Sequence, residues 1–222
     1  MDWDTVDLVV FDVDGTLYDQ RRLRIRMARE LVTHTLLRCD LTAMRVLRTF
    51  RNRREALAEA GAEDFEARLL RETATATGVT PAAVEAIVAE WILRRPLRHL
   101  RACRYPAVDD LFAGLVRAGK TVGILSDYPA RDKLLALGLE ATFVVTAGDA
   151  GRLKPHPQGL LTVMAQAGAS PARTLLIGDR PERDGIAAQR AGTRFLIRTA
   201  QTAGDTTFAR FDAPVFAPVL AV

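Results

Sequence analysis

Two carboxylates, Asp12 and Asp14, stand two residues apart at the end of the apolar run Leu8-Val9-Val10-Phe11 and are followed by Gly15 and Thr16. In an extended chain residues i and i+2 point to the same side, so both carboxylates can face one metal and one substrate. Three further stretches carry similar groups. Ser126 and Asp127 follow Ile124-Leu125, Lys154 precedes Pro155-His156-Pro157 in a loop stiffened by proline, and Asp179 follows Leu176-Ile177-Gly178 with Asp184 five residues on. Carboxylates, a hydroxyl and an ammonium together suit a phosphoryl group. Its negative charge repels an attacking carboxylate, so a cation must neutralise both. Mg²⁺, a hard ion that prefers oxygen ligands and keeps several waters, is the natural choice.

Those residues need strands to hold them. The run Leu8 to Phe11 suits a strand buried on both faces of a parallel sheet, whose ligands sit beyond the carboxyl ends of the strands. From Pro106 the chain alternates helix and strand. Strands are expected at Thr121 to Leu125, Thr142 to Thr146, Thr174 to Ile177 and Arg194 to Ile197, with a further short one near Phe208 to Phe211. This alternation predicts an α/β fold, a parallel sheet with helices on both faces joined by right-handed crossovers. Between the first strand and Pro106 the period is helical. Leu23, Met27 and Leu31 mark one helix, Ala43, Val46, Leu47, Phe50 and Leu57 a second, and Phe65, Leu69 and Leu70 a third. Thr80-Pro81 starts a fourth, carrying Val84, Ile87, Val88, Trp91 and Ile92, which Pro96 is expected to stop.

The run Asp12-Val13-Asp14-Gly15-Thr16-Leu17 resembles the first motif of the haloacid dehalogenase superfamily, mostly Mg-dependent phosphohydrolases working through an aspartyl-phosphate. Ser126 resembles the second motif, Lys154 the third, and Gly178 to Asp184 the fourth in its longer-spaced form. Any one of these is weak, but four in order are specific. They cover about residues 5 to 18 and 106 to 198. The resemblance implies a Rossmann-like catalytic core of residues 1–18 and 106–222, with residues 19–105 inserted as a helical cap. Phosphoglycolate phosphatases and β-phosphoglucomutase carry their caps in that place. It also implies Asp12 as nucleophile, Asp14 as acid and base, and Ser126 and Lys154 as catalytic groups holding the phosphoryl oxygens. Ser126, Asp127, Lys154 and Thr16 make the implied substrate-binding set, Thr16 by orienting Asp14. Asp12, Asp179 and the Asp14 backbone carbonyl would bind Mg²⁺, with Asp184 a ligand or the anchor of one. The dehalogenase branch lacks an aspartate at the place of Asp14, so its presence favours phosphoryl transfer over carbon–halogen cleavage.

The expected activity is therefore Mg-dependent hydrolysis of a small phosphate monoester. A phosphomutase has the same four motifs and remains an alternative. A second class of reading comes from charge. Residues 19 to 105 hold 18 Arg and 11 Asp or Glu, while the whole chain has a net charge of +4. Arg21, Arg22, Arg24, Arg26 and Arg29, with Arg51, Arg53 and Arg54, could make a basic patch for an acidic partner on a non-catalytic scaffold. Few aromatics accompany them, which argues against nucleic acid. No apolar run approaches the roughly 18 residues that span a bilayer. The acidic start, Met1-Asp2-Trp3-Asp4, is unlike a signal peptide, so a cytoplasmic location is expected. Cys39 and Cys103 are expected to be small packing residues, and the three histidines have no ligand spacing.

Overall fold

The protein is described by a computed structural model covering residues 1–222. Six parallel strands form one sheet: β1 (Leu8–Phe11), β2 (Thr121–Ser126), β3 (Phe143–Thr146), β4 (Thr174–Gly178), β5 (Arg194–Arg198) and β6 (Thr207–Phe208). Their spatial order is β3-β2-β1-β4-β5-β6. The chain thus moves outward from β1 through β2 to β3, then returns to the other side of β1 to lay down β4. The crevice where that direction reverses lies beyond the ends of β1 and β4, the general ligand position of such sheets. Phe11 is in register with Ile124 of β2 and with Ile177 of β4, so the residues after all three strands converge there.

The apolar run of β1 is buried throughout because its side chains alternate between two covered faces. Val9 and Phe11 join the cluster containing Leu111, Phe112 and Leu115 of α6 (Val108–Arg117) and Leu134 of α7 (Arg131–Leu137). Leu8 and Val10 join Leu160, Val163 and Met164 of α9 (Gln158–Ala167), which follows the short α8 (Ala147–Ala150). Phe11 packs on Phe112 with ring centroids 4.7 Å apart. Full burial of such a side chain contributes about 1.5–3 kcal/mol. The last crossover contains α10 (Ile186–Ala191), and the chain closes on α11 (Ala217–Leu220). The expected strand near Phe208 to Phe211 is shorter and earlier, Thr207–Phe208. Phe211 instead packs edge-on against Phe208 at 5.2 Å, since burying its ring there needs no ladder position.

Between β1 and α6 come five helices, α1 (Gln20–Arg38), α2 (Thr42–Glu59), α3 (Phe65–Thr77), α4 (Pro81–Val88) and α5 (Leu97–Cys103). Asp19 caps α1 by accepting from the Arg22 N–H at 2.9 Å, and Thr80 caps α4 by accepting from Ala83 at 3.2 Å. The sequence led us to expect four. The difference lies at Pro96, which stops one helix and precedes the next: α4 runs on as a π-helical turn over Ala89–Arg94, and α5 follows. Proline is tolerated at a helix start because an N–H there has no intrahelical partner. The segment's two ends run side by side. Asp19 N–H donates to Cys103 O at 2.9 Å and Tyr105 N–H to Leu17 O at 3.1 Å.

Val46, Phe50, Phe65, Leu69, Val84 and Val88 make a second apolar cluster, which also takes in Ala147 and Leu153 from beyond β3. Leu23, Met27, Leu47, Trp91 and Leu100, however, are continuous with the cluster beneath β1. Cys103 is buried, but Cys39 is exposed in a left-handed conformation at the end of α1, so only one cysteine is a packing residue. No single helix is long and apolar enough to cross a membrane.

Candidate active site

Asp12 lies directly beyond β1 and is held from two sides. Its Oδ1 accepts from Lys154 Nζ at 2.5 Å and its Oδ2 from Thr16 Oγ1 at 3.0 Å. Thr16 therefore orients Asp12, not Asp14 as the motif led us to expect. One helical turn separates Thr16 from Asp12, as the Leu17 N–H to Val13 O bond shows. Thr16 is wholly buried and does not line the cavity, so it supports the Asp12 carboxylate from beneath. Gly15 is required for this turn. Its φ is +103°, and a Cβ there would lie 2.2 Å from Asp179 Oδ2.

Lys154 also donates to Asp184 Oδ1 at 2.6 Å. Burial lowers the pKa of Lys154, but Asp12 and Asp184 raise it well above the usual lysine value. The other oxygen of Asp184 accepts the backbone N–H groups of Asp179 at 3.2 Å and Arg180 at 3.0 Å. Asp184 thus fixes the loop bearing Asp179. Asp127 does similar work, its Oδ1 accepting the Lys154 N–H at 3.2 Å. Ser126 is fully buried at the tip of β2, where its Oγ accepts from the Tyr128 N–H at 3.3 Å.

Asp14 faces elsewhere. Both its oxygens accept from Lys133 Nζ at 2.6 Å, and the Tyr18 hydroxyl donates to it as well. Burial alone would push the Asp14 carboxyl up. The Lys133 charge, with hydrogen bonds from Lys133 and Tyr18, outweighs burial and holds it below the usual carboxylate range. Lys133 and Tyr18 were not singled out from the sequence. A signal existed: the chain has 28 arginines and only three lysines, and two of those three, Lys133 and Lys154, are buried against the site aspartates. Where arginine is the habit, a compact ammonium marks a position too small for a guanidinium.

Asp12, Asp179 and Asp184 each offer an oxygen, all within 4.8 Å of one another. Asp179 has no ion-pair partner and only one hydrogen bond to its carboxylate, from Thr16 at 3.4 Å. Burial and the neighbouring Asp184 raise its pKa to about 6. Burial also raises that of Asp12 well above the usual value, with Lys154 opposing and Asp184, Asp179 and Asp14 adding repulsion. Oxygen-only donors with one carboxylate lacking a cation fit a hard divalent ion. The Asp14 side chain, committed to Lys133, is outside this group.

A cavity of about 800 Å³ opens above these residues, with Asp12, Asp14, Lys154 and Asp179 on its floor. Its far wall comes from α1 and α2. Here Arg54 stacks on Tyr128 at 4.0 Å and donates to the Asp127 carbonyl, while Glu55 pairs with Arg183 at 2.5 Å and Arg180 at 3.1 Å. Arg183 in turn donates to the Lys154 carbonyl at 2.9 Å, linking α2 to the lysine of the site. The eight clustered arginines do not form one patch: Arg54 is buried, Arg24 and Arg51 line the cavity, and Arg53 lies 3.8 Å from Glu72.

A family profile described as haloacid dehalogenase-like hydrolase matches residues 6–192. Among curated proteins, the chain is 30% identical to a phosphoserine phosphatase of Thermus thermophilus, over 63% of this chain and 56% of that protein. It is 28% identical to a probable phosphoglycolate phosphatase of Pseudomonas putida, over 58% and 55%. The chain thus matches little more than half the length of these two relatives. Among solved structures, the HAD-hydrolase YfnB of Bacillus subtilis, described as bound to magnesium, superposes with a TM-score of 0.70 at 16% identity, covering 98% of this chain and 99% of that one. At that identity the likeness bears on the fold.

Proposed function

Since the chain belongs to the haloacid dehalogenase-like hydrolases, we propose that it is a Mg²⁺-dependent phosphatase acting on a small phosphate monoester, with residues 19–105 closing over the site as a cap. The observation that carries this reading is the arrangement of the two aspartates at the sheet's switch point. Asp12 is pinned by Lys154 and Thr16, and Asp14, two residues on, is held separately by Lys133 and Tyr18. Two relatives similar in sequence are named for phosphate esters, which agrees with it.

In this reading Asp12 attacks phosphorus. The bond from phosphorus to the leaving oxygen breaks as the bond to the Asp12 carboxylate forms, and Asp14 gives its proton to the leaving alkoxide. Water then attacks the aspartyl-phosphate, Asp14 takes a proton from it, and Asp12 is released with inorganic phosphate. Lys154 holds the phosphoryl oxygens from the cavity floor, and Ser126, fully buried and outside the cavity lining, would join it by turning its hydroxyl toward the cavity. Asp12 and Asp179, with Asp184 as their support and the Asp14 carbonyl as a further oxygen, would hold the ion, which supplies charge neutralisation between nucleophile and phosphoryl group. In the arrangement described, Asp14 is an ionised base. To act as an acid it must be protonated, which requires its carboxyl, already on the cavity floor, to leave Lys133 when substrate binds.

The test is phosphate release from a panel of small phosphate esters by the full chain, with Mg²⁺ and with chelator. Release in Mg²⁺ that chelator abolishes is expected. Equal rates in both, halide release from 2-haloacids without phosphate release, or an isomerised ester in place of phosphate would overturn the reading.

A further inference from the structure

Five arginines line the cavity, and three of them are engaged. Arg54 lies on Tyr128, and Arg180 and Arg183 share Glu55. The lysines on the floor are engaged too, Lys133 with Asp14 and Lys154 with Asp12 and Asp184. Arg24 of α1 and Arg51 of α2 are different. Both line the cavity, both are exposed, and the side chain of neither has a hydrogen bond or an ion pair within the protein. Arg51 is flanked by protein yet reached by water through the cavity. Burial lowers its pKa, Tyr128 partly offsets this, and the positive charge of Arg24 lowers it again. Two like charges near each other on a cavity wall with no counter-ion repel, and an oxyanion placed between them relieves that repulsion while gaining charge-assisted hydrogen bonds. The surrounding wall includes the apolar Leu23, Met27 and Leu47, and its one carboxylate, Glu55, is taken by Arg180 and Arg183.

We infer that the leaving group of the substrate carries a second oxyanion, a carboxylate or a second phosphate, received by Arg24 and Arg51 while the scissile phosphoryl group sits on Asp12. This rests on the phosphatase reading for which end of the substrate reacts. Guanidinium groups suit the task because their planar donors match both carboxylate and phosphate. The helices α1 and α2 thereby select the substrate, and the strand ends process it.

The test is isothermal titration of the full chain in Mg²⁺ with methylphosphonate, phosphonoacetate and 1,2-ethylenediphosphonate, none of which can be hydrolysed as an ester. At least one of the two-anion compounds should bind ~10- to 100-fold more tightly than methylphosphonate, the range of a charged hydrogen bond. Tighter binding of phosphonoacetate identifies a carboxylate, and of the diphosphonate a second phosphate. Arg24→Met and Arg51→Met should each remove most of that preference, with Arg51→Lys restoring part. Arg29→Met, on α1 but outside the cavity, should keep it. Equal affinity for all three compounds in the wild type overturns the inference, as does a preference that survives both cavity variants. Phosphate release is a separate measurement: a chain that hydrolyses esters but shows no preference overturns this inference alone, whereas preference without release overturns the phosphatase reading and leaves the second-anion site standing.

Discussion

The floor and the far wall of the cavity handle charge in opposite ways. On the floor, Asp12, Asp14 and Asp184 each have a lysine within 2.6 Å, and those lysines are almost completely buried. On the wall formed by α1 and α2, guanidinium groups alternate between tight engagement, as in Arg54, and none, as in Arg24 and Arg51. The floor hangs from parallel strands whose register fixes its positions. The wall is tied to it by side chains, above all Glu55 with Arg180 and Arg183. Paired buried charges on a rigid ladder preorganise chemistry, whereas free charges on a separate wall wait for a ligand. The proposed reaction and the proposed selection thus fall on different structural parts.

The largest expected effect is on the floor. Asp12→Asn should reduce phosphate release at least ~10³-fold with the fold intact, as loss of a nucleophile does. A purified, folded variant keeping a tenth of wild-type turnover would take Asp12 out of that role. Asp14→Asn should slow turnover by ~10² to 10⁴ without weakening Mg²⁺ binding, because its side chain faces Lys133 and not the carboxylate group. Unchanged kcat, or a lost response to metal, would count against the division of labour between the two aspartates.

Lys133→Met sharpens the comparison, since it strips a floor carboxylate of its partner and makes it resemble the unpaired wall. Lys133 holds Asp14 below its usual pKa, so its removal should raise that pKa and move the alkaline limb of the kcat/KM profile, set by loss of the proton Asp14 donates, to higher pH. Stability should fall by ~3–5 kcal/mol, the cost of leaving one member of a buried pair alone. An alkaline limb that stays in place would show that Asp14 does not govern it.

Asp179 gives a smaller effect, readable without substrate. Its pKa of about 6 lies above that of the unfolded chain, so the folded metal-free protein retains a proton that the unfolded chain gives up. The stability this confers on the folded state is present at low pH and is lost as pH rises through 6. Mg²⁺ requires the ionised form. At pH 7.5 and about 100 Kd of Mg²⁺ the gain should be ~2.7 kcal/mol, or a rise in Tm of ~5–10 °C. At pH 5 the same concentration should give about half of that, and an undiminished shift would show that Asp179 is no ligand. Smallest is Glu55→Gln, which weakens the tie between wall and floor. The Arg180 pair is exposed and contributes about 0–1 kcal/mol, while buried Arg183 keeps its bonds to the Lys154 and Glu55 carbonyls, so Tm should fall only slightly and kcat by only a few-fold. A drop as large as that of Asp14→Asn would mean that the wall takes part in the chemistry itself.

The sheet and its strand ends were legible in the chain because their cause is local. A strand covered on both faces must be apolar at successive positions, as Leu8 to Phe11 are, and the polar residues at its end have nowhere to go but the mouth. The run of helices before Pro106 was legible by period for the same reason. The charge pairings were not. Lys133 and Asp14 are 119 residues apart in sequence, Lys154 and Asp12 142, and Glu55 and Arg183 128. Nothing in the local pattern says which ammonium meets which carboxylate, because an ion pair depends on distance in space and on the water excluded around it. Nor could spacing tell that Thr16 supports Asp12, or that of eight clustered arginines Arg24 and Arg51 would line the cavity without a partner. By itself the sequence determined what groups reach the site and in what order. Only the tertiary structure, by bringing crossover and helical segment together over the end of β1, decided which charges are spent on one another and which remain free for a ligand.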